Sequence, residues 1–442
     1  MDGQEQTTVR PFAFTIEPAA VSTFVSVDNG TNGRNGSPIA DIPNNQTSLR
    51  FFDEREVAQN EPKDGRMRSE EPITLTKKLV EFDTVNPPGK ERECAHFLGE
   101  MLAASGCEVH YSEFALARTC LIARFGDSSK PAICFSGHFD TVPLGERKWT
   151  YPPFEGRIVG DKLYGRGSSD MKGGVAAMVT AVLTAIGTAP DGLNVLLVIT
   201  AGEETGCAGS RFLARTPQAL GKIGALVVGE PTSNYPVLGH KGVLWIRAEV
   251  GGSSVHGSTP EKGDNAIYKL LTPIDRLRRL TFDLPPHAIF GSPTLNIGKI
   301  WGGQNINSVP DKAGFGIDIR TVIGQRNRAV FDKIQSIVGG DFQLKKIENM
   351  EPVFTDPDDP WIRRVFRVVS PYLGFRPEPR IISYGTDAAH LKTAGNNPPA
   401  IILGPGEPQM AHCTDEFCSV EKIETCVSIY SDLISEWTAY SG

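Results

Sequence analysis

From about residue 73 the apolar positions fall into two recurring periods. Residues 74–82 (TLTKKLVEF) and 91–106 (ERECAHFLGEMLAASG) place them three and four apart, which predicts two amphipathic helices. Gly106 stands where the second should end. Short, largely apolar runs without alternation follow: CLIARF, AICFSG, NVLLVIT and ALVVG. A strand covered on one face alternates, whereas one covered on both faces of a parallel or mixed sheet does not. Between these runs lies MKGGVAAMVTAVLTAIG, a predicted helix rich in Ala and Val. Strand alternating with helix predicts an α/β sandwich.

The pattern changes near Gly239. VLWIRAEV alternates like a half-exposed strand, and DNAIYKLLTPIDRLRRL has a helical period with Pro273 as an irregularity. TLNIGKIWGG and AGFGIDIRTV predict strands, RAVFDKIQSIVGG a helix and FQLKKIE a final strand. Strand, helix, strand, strand, helix, strand is the ferredoxin-like plan. The expected organisation is a first domain over 69–239 and 351–442, interrupted by an inserted α+β domain over 240–350. WIRRVFRVVSPYLG, AIILGPG and SVEKIETCVSIYSDLISEW complete the first domain. Residues 1–68 are rich in Asn, Gly, Ser, Pro and charge without a period, which predicts a disordered N-terminal extension.

Composition narrows the function. A chain of 442 residues accommodates two or three domains. The net charge of −7, without a clustered basic face, argues against a nucleic-acid partner. The sequence pattern shows no apolar run of the ~18 residues that a membrane span needs, and no basic-then-apolar leader. No membrane association and a cytoplasmic location are expected. The 8 cysteines (Cys94, Cys107, Cys120, Cys134, Cys207, Cys413, Cys418 and Cys426) form no CxxC pair and read as free thiols of a reducing compartment.

Acidic residues and histidines gather in GHFDTVP (His138, Asp140), GRGSSDMKGG (Asp170), AGEETG (Glu203, Glu204), VVGEPT (Glu230) and MAHCTDEF (His412). Three of these segments directly follow predicted buried strands, and ligands of open α/β sheets bind beyond the carboxyl ends of the strands. Each signal has an ordinary alternative: a capping Asp170, a solvated Glu pair, a turn at GEP. Together they bring several carboxylates and imidazoles to one edge, and a divalent cation offsets their repulsion. That donor set suits zinc, cobalt or manganese, zinc first among them.

GHFDTVP, LYGRGSSDMKGG, AGEETG, VVGEPT and AHCTDE, in this order from about residue 72 onward, resemble the acetylornithine deacetylase, succinyl-diaminopimelate desuccinylase and glutamate carboxypeptidase family of co-catalytic zinc hydrolases. The resemblance implies a zinc-peptidase-like α/β/α catalytic domain with a ferredoxin-like dimerisation (lid) domain inserted, and two divalent metal ions per subunit. It implies that His138 and Glu230 hold one metal, Glu204 and His412 the other, and that Asp170 bridges both through a cis Asp170–Met171 peptide. Asp140 would accept a hydrogen bond from the free nitrogen of His138, and Glu203 would be the general base for a water activated between the metals. His256, in GGSSVHGSTPEKGDNAI, would reach the neighbouring subunit's reaction centre across a homodimer. Asn307 and Arg320, in NINSVPDKAGFGIDIR, would bind the carboxylate of a small substrate, Arg320 bidentately; an interdomain salt bridge is the alternative for Arg320. Gly385 and Thr386, in SYGTDAAHL, would touch the substrate. His240, His287 and His390 have no matching role and read as structural.

The expected activity is hydrolysis of an amide bond in an N-acyl amino acid or related small substrate. A glutamate-releasing carboxypeptidase and an aminohydrolase of an aromatic amine on the same frame are the alternatives. A non-catalytic binding protein is disfavoured because every ligand position and the base are present.

Overall fold

The computed structural model describes residues 71–188 and 190–441. The extension expected over 1–68 lies outside the described residues. The largest sheet is built from β1 (Glu108–Ala115), β2 (Arg118–Phe125), β3 (Ala132–His138), β6 (Val195–Thr200), β7 (Ile223–Val228) and β14 (Ala400–Ile402), in the order β1-β2-β6-β3-β7-β14. β6, β3, β7 and β14 run parallel; β2 and β1 turn antiparallel at one edge.

Both faces of this sheet are covered, which explains why its central strands β3 and β6 are buried at every position and mostly apolar. Leu121, Ile133, Phe135, Leu197 and Val227 point into a core shared with helices α1 (Pro72–Glu81), α2 (Arg92–Ala104), α3 (Gly173–Thr188), α7 (Pro360–Leu373) and α9 (Val420–Ser441). The intervening Ile122, Cys134, Leu196 and Val228 point the other way, toward α4 (Ala208–Leu213) and α8 (Ala388–Ala394). The segment Ser168–Thr188 corrects the sequence expectation in one respect: it is long and apolar enough to cross a bilayer, yet 67% of it is buried as the core helix of this sandwich.

Two small sheets flank the sandwich. β4 (Arg157–Val159), β5 (Lys162–Tyr164) and β15 (Phe417–Ser419) form one, and β8 (Gly239–His240) with β13 (Val353–Phe354) the other. A separate four-stranded sheet holds β9 (Gly242–Gly251), β10 (Thr294–Gly302), β11 (Lys312–Thr321) and β12 (Phe342–Met350) in the order β10-β11-β9-β12, every pair antiparallel. Helices α5 (Ala266–Arg278) and α6 (Asn327–Val338) pack on one face around Leu244, Ile246, Phe315, Ile317 and Ile334. This is the ferredoxin-like arrangement. Asn265 caps α5 by accepting N–H bonds from Ile267 and Tyr268, and α5 runs on through Pro273. The other face of the sheet is exposed at Trp245, Arg247 and Lys299.

Candidate active site

The parallel order β6-β3-β7-β14 puts four carboxyl ends side by side, and each feeds the same place. β3 ends at His138, β6 leads to Glu203 and Glu204, β7 leads to Glu230, and the loop after β14 carries His412. Asp170 enters from the turn before α3, where the Asp170–Met171 peptide is cis. The chain must pass close to itself here: a Cβ on Gly406 would lie 2.1 Å from the Ser169 carbonyl oxygen.

His138, Asp170 and Glu230 form one group, and Asp170, Glu204 and His412 a second, with the donor atoms of each within 4.8 Å of one another. The two oxygens of Asp170 divide between them. Oδ1 lies 3.2 Å from His138 Nε2, and Oδ2 lies 3.4 Å from His412 Nε2. Glu230 is 4.0 Å from His138 Nε2, and Glu204 is 3.0 Å from His412 Nε2.

His138 Nδ1 donates to the main-chain carbonyl of Asp140 at 2.9 Å. In a neutral, cation-binding ring this would leave the lone pair on Nε2, aimed at the cluster; without a cation, Nε2 is protonated and donates to Asp170 Oδ1 at 3.2 Å. This corrects the expected contact, since the Asp140 carboxylate is 3.7 Å from Nδ1. That carboxylate instead accepts main-chain N–H bonds from Gly202 (2.8 Å), Glu203 (3.0 Å) and Glu204 (3.1 Å), and a bond from Asn86 Nδ2 at 2.8 Å. Asp140 thus fixes the turn that presents the two glutamates. Glu416 does the same on the other side. Its buried carboxylate accepts N–H bonds from Gly167, Ser169 and Asp170 at 2.9–3.0 Å and pairs with Arg166 at 2.6 Å.

Crowding governs the charges. Burial, and then the neighbouring Glu230 carboxylate, pushes Glu203 well above the ordinary carboxylate range. Burial and Asp170 raise Glu230 strongly, and the same causes push Glu204 up to about 7. Burial alone would raise Asp170 too, but hydrogen bonds from His138 and His412 hold it below the usual range. The Asp170 and Glu204 carboxylates push His412 up to about 10. Glu204 Oε1 is buried without a hydrogen-bond partner among the described residues. Carboxylate and imidazole donors converging on shared points, one of them an orphaned oxygen, fit divalent cations of the zinc, cobalt or manganese type.

A cavity of about 360 Å³ opens onto this edge, lined by Asp170, Glu203, Glu204, Glu230, Arg320, Gly385 and His412 among others. Arg320 is not an interdomain salt bridge: it grips Asp318 on its own strand at 2.9 and 3.1 Å and donates to the Ser383 carbonyl at 3.3 Å. Thr386 corrects another expectation. It is fully buried outside the cavity lining, and its hydroxyl accepts the Ala388 N–H at 3.2 Å. His256 and Asn307 are exposed neighbours, joined by the Gly257 N–H to Asn307 carbonyl bond at 2.7 Å, and neither lines the cavity. His240, His287 and His390 do not line it either.

Asn86, Arg166, Asp387 and Glu416 escaped the sequence reading. Burial raises Asp387, whose Oδ2 accepts from Thr200 at the end of β6. Glu416 could have been found, because it stands in the same AHCTDE string as His412.

The chain matches the model of the Peptidase family M20/M25/M40 over residues 134–436. A protein of Staphylococcus epidermidis named "Probable succinyl-diaminopimelate desuccinylase" is 31% identical over 407 residues, covering 84% of this chain and 98% of that one. The acetylornithine deacetylase of Proteus mirabilis is 31% identical over 329 residues, covering 72% and 82%. The crystal structure of an M20 family metallo-carboxypeptidase from Sulfolobus solfataricus superposes with a TM-score of 0.71 at 18% identity, covering 84% of this chain and 100% of that one. The chain belongs to the M20/M25/M40 peptidase family and is a hydrolase of carbon–nitrogen amide bonds.

Proposed function

We propose that this enzyme removes the acyl group from a small N-acyl amino acid, as the names of its desuccinylase and deacetylase relatives read. The observation that carries the reading is Asp170, whose two oxygens each face one imidazole and one further carboxylate. His138, Asp170 and Glu230 would hold one divalent cation, and Asp170, Glu204 and His412 a second, with zinc the first choice. When bound, such a pair supplies Lewis-acid chemistry at the amide carbonyl.

The chain's own residues do the rest. Glu203 faces the cavity, and its raised proton affinity suits a group that takes a proton from the attacking water and returns it to the leaving amine. Arg320, which lines the cavity together with Gly385, would meet the substrate carboxylate through the Nη1/Nη2 edge that its fork on Asp318 leaves open. His256 Nδ1 accepts the Ser258 N–H at 3.1 Å, so Nε2 carries the proton and can donate to a developing oxyanion. Its place outside the cavity supports a homodimer, with His256 of the partner subunit completing each site through the inserted domain and Asn307 beside it. Residues 69–239 and 351–442 would then be the catalytic domain and 240–350 the inserted one. The cysteines, free and mostly buried among the described residues, support a cytoplasmic location.

The test is a panel of N-acetyl-, N-succinyl- and N-formyl-amino acids, dipeptides and aryl amides on zinc-loaded protein. Cleavage of N-acyl amino acids above all others is expected. Preferential release of C-terminal glutamate, or of an aryl amine, would replace this reading.

A further inference from the structure

The exposed face of the four-stranded sheet continues outward from the cavity. Register puts Arg320 beside Val243, Asp318 beside Trp245, and Gly316 between Arg247 and Lys299. Arg320, Val243 and Trp245 line the active-site cavity. Trp245 is also one wall of a second trough of about 470 Å³, which Trp301, Ile347, Arg247 and Lys299 complete over a floor at Gly316.

The trough is aromatic and cationic. Trp245 is 41% exposed and Ile347 50%. Trp301 covers Gly314, where a Cβ would come within 2.5 Å of its ring, and the Arg247 guanidinium sits 4.7 Å from its centroid. The floor is open because residue 316 is glycine: a Cβ there would meet only Lys299 Cβ, at 3.6 Å. The acid nearest the floor, Asp318, is already engaged by Arg320 and, at 3.0 Å, by Trp245 Nε1. Arg247 pairs with Glu249 at the rim, at 2.8 Å. Strand residues rise about 3.3 Å each, so Arg247 lies roughly 7 Å beyond Trp245.

We propose that this trough holds the far end of the substrate: an anion on a flat aromatic or long apolar arm reaching about 7 Å or more past Trp245. Continuity through Trp245 argues for the substrate itself as occupant, and the two cations argue for the anion. An acetyl group does not reach so far. The inference rests on the cavity being the amide-hydrolysing centre.

The test compares two substrates of one amino acid, N-acetyl and N-[4-(4-carboxyphenyl)butanoyl], on zinc-loaded enzyme. The wild type should favour the long substrate at least tenfold in kcat/KM. Gly316→Leu, which fills the floor, and Lys299→Glu should each erase that preference, with the acetyl substrate changing less than twofold. A wild type without the preference, or a preference that survives both substitutions, overturns the proposal. If neither substrate is cleaved, the deacylase reading fails and binding decides. 4-(4-Carboxyphenyl)butanoate should then quench tryptophan fluorescence saturably in the wild type, and at least tenfold more weakly in Lys299→Glu. No saturable quenching overturns the proposal. So does sedimentation showing that Lys299→Glu dissociates a dimer while the substrate preference persists, because a second copy of the chain would then own the face.

Discussion

The two sheets treat their polar residues in opposite ways. At the carboxyl edge of the six-stranded sheet, functional groups are buried and over-determined: the Asp140 carboxylate accepts four hydrogen bonds, and Glu416 accepts three from main-chain N–H groups alongside its Arg166 ion pair. On the outer face of the four-stranded sheet the aromatic and basic groups stand in solvent and hold few partners. The first edge is built to fix geometry, at the cost of desolvating several carboxylates. The second is built to be covered when something arrives. On the reading proposed above, reaction type would belong to the first region and choice of substrate to the second.

The largest effect should come from the first region. Glu203→Ala removes the proposed proton acceptor and none of the proposed cation donors, so turnover should fall about a thousandfold with metal content unchanged. Steady-state kinetics alongside elemental analysis checks both halves, and wild-type turnover would remove Glu203 from the chemistry. His256→Ala comes next: loss of the proposed oxyanion donor should lower kcat about a hundredfold, with the proposed dimer unchanged in sedimentation. A fully active variant would leave His256 with no part in the reaction.

How far the sequence reached follows the same division. Buried strands and the cluster they carry announce themselves, because a run such as AICFSGH is mostly apolar and then ends on a histidine. β1 does not: as an edge strand it is exposed or half-exposed at every position, so EVHYSEFA offers no apolar run. The supporting contacts were hidden for a different reason. Asn86 meets Asp140 across 54 residues and Glu416 meets Asp170 across 246, and no local pattern encodes such pairings. The reading of Asp140 had the right residue and the wrong atom, since main-chain carbonyl and carboxylate are indistinguishable in a sequence.

Glu416→Gln probes the over-determined region without touching a cation donor. The amide keeps the shape but offers only one acceptor oxygen, so part of the set of N–H bonds holding Gly167, Ser169 and Asp170 must open, and Arg166 loses its charge partner. Outer-shell groups of this kind typically change metal affinity 10–100-fold. Competition titration with a chelator should find a loss of about that size at both cation groups, because Asp170 belongs to both. A loss at one alone would mean that Asp170 is not shared. Affinity should also rise with pH through the region near 7, where Glu204 gives up its proton, and continue toward 10 as His412 does.

The smallest effect should fall on the second region. Arg320 is already oriented by Asp318, so its guanidinium meets the cavity in a fixed attitude. Arg320→Lys keeps the charge and loses the fork, which should raise KM about tenfold with kcat nearly unchanged, since one bidentate pair is exchanged for a point contact. The split matters more than the size. A fall in kcat at constant KM would mean that Arg320 acts on the reacting carbonyl and not on the substrate's carboxylate. The division of labour between the two sheets would then move one strand inward, with the four-stranded sheet sharing in the chemistry.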